Sequence, residues 1–87
     1  MDWERGRVVR SRAGRDEGRY FAVLAAEGDR LVLADGKLRP IGRPKRKNVR
    51  HVAGTLVRLD EETLAADGRL RRALNRLSGR ENTMQGG

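Results

Sequence analysis

Residues 11–23 read SRAGRDEGRYFAV. Two glycines, Gly14 and Gly18, stand four apart and enclose Arg15, Asp16 and Glu17, and Arg19 follows at once. The apolar pair Val8 and Val9 precedes the stretch, and an apolar run begins at Tyr20. Glycine takes positive φ without steric cost, so this spacing predicts a tight reversal between two strands. A hairpin needs the glycines but not the arginines. The surplus of positive charge asks for a partner outside the turn.

The flanking sequence extends the strand reading. RVVRSR (7–12), YFAVLAA (20–26), RLVLA (30–34) and TLVRL (55–59) are short runs divided by AGRDEG, EGD and DGKLRPIGRPKRKN. Glu27-Gly28-Asp29 and Asp35-Gly36 are hairpin-turn chemistry. Several short strands at close spacing predict a small sheet or barrel, a mainly β fold. In the second run Phe21, Val23 and Ala25 share one face and Tyr20, Leu24 and Ala26 the other. Both faces are apolar, which predicts a central strand. Trp3 is read as closing one end of the small core rather than stacking on a base.

From Asp60 the period changes. Asp60 suits an N-cap, and Glu61 and Glu62 favour the positive end of a helix. Gly68 interrupts, and Asp67 suits the cap of a second helix. There Leu70, Ala73, Leu74 and Leu77 fall at i, i+3, i+4 and i+7, an apolar stripe predicted to pack on the sheet. Gly79 is read as the stop and residues 80–87 as a flexible polar tail.

At 87 residues the chain makes one small domain, with no room for an enclosed substrate cavity and its walls. No apolar window is long enough to span a membrane. The acids in MDWERGRVV speak against a secretory signal, and the absence of cysteine removes disulfides and thiolate metal sites and fits a reducing cytosol. The chain is therefore read as cytoplasmic. Its net charge is +8, unevenly spread: residues 5–58 carry 15 Lys and Arg against 5 Asp and Glu, whereas residues 60–87 carry 5 of each sign. A positive field of that size in the front of the chain points to a polyanion, above all nucleic acid.

VVRSRAGRDEGRYFAV resembles the KOW motif of large-subunit ribosomal proteins and NusG-type elongation factors. Gly14, Arg15, Asp16, Gly18 and Arg19 stand at the positions of its Gly-Lys/Arg-Asp-Lys-Gly-Lys turn. Phe21 replaces a glycine common in that family, and Glu17 a common lysine. AGRDEGRYFAV, then DGKLRP, then PKRKNVRH is similar in order to the small KOW proteins related to large-subunit ribosomal protein fourteen-e, over roughly residues 5–77. The resemblance implies an SH3-like (KOW) barrel over residues 1–59, followed by a helical segment, 60–79, packed on it. It also implies binding of RNA, specifically ribosomal RNA of the large subunit, in a ribonucleoprotein of the translation apparatus beside neighbouring ribosomal proteins. Away from the ribosome the protein is expected to be monomeric.

The residues agree with an RNA partner. A glycine-bracketed turn lets backbone N–H groups approach phosphate. Arg12, Arg15 and Arg19 would add charge-assisted hydrogen bonds and guanidinium stacking. Asp16, which would repel RNA, is read as bracing the turn through its own backbone. GRPKRKNVRH forms a second basic surface, read as a phosphate-tracking loop, in which Arg43, Lys45, Arg46, Lys47 and Arg50 put five cations within eight residues. Asn48 and His51 either read a base edge or 2′-OH or bond within their own loop. His51 is the only histidine, so no metal site is expected, and no cofactor or catalytic constellation is recognised. The competing reading is an SH3-like protein-interaction module of the transcription machinery, against which the low aromatic content argues.

Overall fold

Val8 and Val9 are neighbours in sequence and both fully buried, although successive residues of a strand point to opposite faces. The sheet that holds them is therefore covered on both sides. The computed structural model describes residues 3–86, with side chains as far as Ser78. Its strands are β1 (Arg7–Ser11), β2 (Tyr20–Glu27), β3 (Arg30–Ala34), β4 (Lys45–Asn48) and β5 (Val52–Arg58). A 3-10 turn (Val49–His51) joins the last two, and the helices α1 (Glu61–Leu64) and α2 (Asp67–Gly86) follow.

The strands form one antiparallel sheet in the order β4-β3-β2-β1-β5. The fold is thus mainly β, with an open sheet whose edges are β4 and β5. A two-residue turn, Gly28–Asp29, closes the β2–β3 hairpin, as Glu27-Gly28-Asp29 predicts. Register shifts between Val23 and Ala25 and between Arg7 and Val9 bend the strands and deepen the twist.

One face buries Val9, Phe21, Val23, Leu31, Leu33 and Val52, with Trp3 and Val49 packed against them. The other buries Val8, Ala22 and Ala34 under Leu64, Leu70 and Leu74 of the two helices. Small alanines on that face let α2 approach the sheet closely. The double burial of Phe21, Ala22 and Val23 makes β2 central, and Ala25 and Ala26 emerge into solvent beyond the bulge.

Three expectations change. KRKN, read as part of a loop, is the edge strand β4, and β5 starts at Val52 rather than Thr55. Asp35-Gly36 opens the loop that joins β3 to its antiparallel neighbour β4. Helix α2 runs past Gly79 to Gly86, because an interior glycine costs about 1 kcal/mol against alanine and does not forbid a helix. Residues 80–86, read as a tail, belong to its end, and Gly87 lies outside the described residues.

Candidate nucleic-acid interface

The turn between β1 and β2 is built by its two glycines, with φ of +84° at Gly14 and +87° at Gly18. Inside it the Gly18 N–H donates to Ser11 C=O at 2.8 Å, Glu17 N–H to Gly14 C=O at 3.2 Å and Arg19 N–H to Asp16 C=O at 2.9 Å. These three amides are spent on the turn itself. The side chains of Arg15 and Arg19 are exposed beside it.

Asp16 braces the turn through its own backbone C=O, which accepts from Arg19 N–H, and through its carboxylate as well. Its Oδ1 accepts from Ser11 Oγ at 2.6 Å and from Lys47 Nζ at 3.0 Å, and its Oδ2 pairs with Lys45. Lys47 Nζ also donates to Ala13 C=O at 2.9 Å. The two lysines sit two apart on β4, so both reach the same side of the sheet. Asp16, Lys45 and Lys47 are only 14–17% exposed. The Lys45 ammonium also stands 4.7 Å from the centre of the Phe21 ring, a cation–π contact. Burial, and next the neighbouring Lys47 charge, hold the Lys45 pKa below its ordinary value.

Across from this turn lies the loop between β3 and β4. Asp35 Oδ1 accepts from the Lys37 and Arg39 amides, each at 2.9 Å, and the Asp35 and Gly36 amides donate to Arg39 C=O. The tight ring so formed leaves Leu38 outside, 60% exposed. Helix α2 clamps the loop: Ile41 N–H donates to Asp67 Oδ1 at 2.7 Å. Gly36, at φ +77°, sits where a Cβ would meet Asp67 C=O at 2.3 Å.

Between the turn and the loop is a cleft of about 450 Å³. Arg15, Arg19, Arg39, Lys45 and Lys47 line it, against the carboxylates of Asp16 and Asp35. Both carboxylates already accept hydrogen bonds from the protein. Leu38 supplies exposed apolar surface, while the buried Phe21 ring lies beneath Lys45. The site can thus attract an anion and offer a hydrophobic patch to a flat group beside it.

Four of the nominated basic residues, Arg15, Arg19, Lys45 and Lys47, meet in this cleft with Gly14 and Gly18 in its turn. The others lie elsewhere. Arg46 points away from Lys45 and Lys47 and pairs with Glu27 at 2.8 Å, which raises the pKa of the arginine and lowers that of the glutamate. Asn48 Oδ1 accepts from the Arg50 amide at 2.9 Å, capping the 3-10 turn. Arg12, whose N–H donates to His51 C=O at 2.8 Å, shares an exposed basic corner with Arg50 and His51. Arg43 is exposed behind Pro40. Arg39, Leu38 and Phe21 escaped the sequence reading. The only signal for the first two was an apolar residue stranded between an Asp-Gly turn and a proline.

Among the described residues, no group of three His, Cys, Asp or Glu could hold a metal ion. No helix among them is long and apolar enough to cross a membrane. The chain matches no protein-family model and no curated protein.

Proposed function

We propose that this chain is a non-catalytic RNA-binding protein, an SH3-like module of the KOW type that engages ribosomal RNA of the large subunit. The observation that carries this reading is the cleft. Five cations from two distant segments converge on it, its two carboxylates are engaged internally, and the exposed Leu38 gives it an apolar side. Exposed arginines would take the phosphates by charge-assisted hydrogen bonds, while an unstacked base lies against Leu38. The strand order β4-β3-β2-β1-β5, with bulges that bend the sheet, supports the SH3-like architecture that the KOW resemblance implies.

Sedimentation of native lysate at low and then high salt tests the ribosomal part of the reading. Comigration with the large subunit at both salts is the expected result. Failure at both would remove the ribosome from the reading. A protein partner has one observation in its favour, Leu56, which stands 95% exposed on edge strand β5. Capture of a transcription protein that survives nuclease treatment would favour that alternative.

A further inference from the structure

A second groove adjoins the cleft. It has a volume of about 200 Å³ and runs between the β1–β2 turn and helix α2. Arg19 and Asp35 line both depressions, so the two are immediate neighbours. Beyond Arg19 the groove carries Lys37 from the β3–β4 loop and Arg71 from α2, with Asn75 further along the helix. Lys37 and Arg71 are exposed. Asp35 is the single carboxylate there, and its Oδ1 is held by two backbone amides.

The first turn of α2 sets this geometry. Docked on Gly36 and Ile41, it brings Arg71 beside the loop that holds Lys37. The opposite side of the helix differs. Arg69, Arg72 and Arg76 line a groove with Asp60 and Glu62, and Arg69 is turned to Glu62 C=O at 3.3 Å. That groove shares no lining residue with the cleft.

Resting on the RNA-binding reading, we propose that the nucleic acid follows one continuous path of cations, from the cleft over Arg19 onto helix α2, where Lys37 and Arg71 receive its backbone. The helix is then part of the binding surface as well as a cover for the sheet. The occupant is an unpaired strand. Two narrow depressions meeting at one arginine suit a flexible backbone with splayed bases, whereas a duplex is rigid and presents its phosphates across wide grooves.

The test is binding of a fluorescently labelled oligouridylate to the full chain across a salt series. Three double variants are compared with wild type: Lys37→Ala/Arg71→Ala, Arg15→Ala/Arg19→Ala, and Arg72→Ala/Arg76→Ala as the control from the other groove. Thermal melts confirm that each remains folded. The Lys37/Arg71 variant is expected to bind about tenfold more weakly, and its slope of log K against log salt should be shallower by roughly 1 to 2. The control should keep the wild-type slope, and an unlabelled RNA duplex should compete poorly. A wild-type slope for Lys37/Arg71 beside a weakened Arg15/Arg19 variant would overturn this inference and leave the RNA reading standing. So would an equal loss in the control, or a duplex that competes as well as the single strand. A wild-type protein that does not bind at all would end both.

Discussion

Asp16 shows how one carboxylate can serve a cationic site without spoiling it. Two lysines pointing the same way from β4 would repel each other, and Asp16 satisfies both while Ser11 holds its orientation. Asp16→Asn keeps the shape and removes the charge, leaving two poorly exposed ammonium groups uncompensated. A loss of about 1–3 kcal/mol is expected in urea melts, together with weaker RNA binding as the arginine-bearing turn loosens. Lys45 adds a pH dependence of definite sign. Its folded pKa lies below the unfolded 10.5 through burial and then Lys47, so the unfolded chain binds more protons between the two values. The group's contribution to stability therefore rises as pH climbs through that window and is lost as pH falls through it. RNA binding should move the other way, because a phosphate in the cleft favours the charged ammonium that high pH removes. Lys45→Arg, which stays charged, should flatten the alkaline fall in affinity. An affinity that holds constant across that range in the wild type would separate Lys45 from the ligand.

At the scale of elements, legibility followed apolar content. β2 and β3 announce themselves by runs of apolar residues and by the two-residue turn between them. β4 has no apolar residue at all; it is a strand because β3 needs a partner along Leu31–Leu33. Its charges also suit an exposed edge, where lysine discourages pairing with other chains. The alternation along KRKN still carries meaning, since Lys45 and Lys47 serve the cleft and Arg46 serves Glu27. That meaning becomes visible only once the strand is known. The loop before β4 depends on a contact no local pattern reveals, the seat of Gly36 on the first turn of α2. Gly36→Ala would combine a positive φ of 77° with a Cβ 2.3 Å from Asp67 C=O and 3.0 Å from Arg71 N. The substitution should cost roughly 1–3 kcal/mol in a thermal melt. Because the loop carries Leu38 and Arg39, RNA affinity should fall with it. Unchanged affinity in a destabilised variant would detach the loop from the interface. Asp60 was legible as a cap, and its carboxylate does accept from Thr63 N–H at 2.9 Å and from the Thr63 hydroxyl at 2.7 Å. Those bonds hold its pKa below 3.8, so Asp60→Ala should lower the melting temperature at neutral pH and cease to matter in strong acid.

Over the whole molecule, the sequence located the positive half of the chain but not which of its cations are available. Lys45 and Lys47 are committed to Asp16 and Arg46 to Glu27, so a count of basic residues overstates the charge offered to a partner. Arg15, Arg19, Lys37, Arg39 and Arg71 remain exposed around the cleft and its extension. If these five meet phosphates of an unpaired strand, each neutralised phosphate contributes about −0.7 to the slope of log K against log salt. The expected slope is then roughly −3 to −4, well short of what the full complement of basic residues would give. Arg15→Ala/Arg19→Ala should make it shallower by about 1.4, with no change in melting temperature, since neither side chain is part of the Asp16 network. A slope several units steeper would bring in the basic corner of Arg12, Arg50 and His51 as a further contact. A slope near zero would mean that the convergence of arginines on the cleft serves something other than a polyanion.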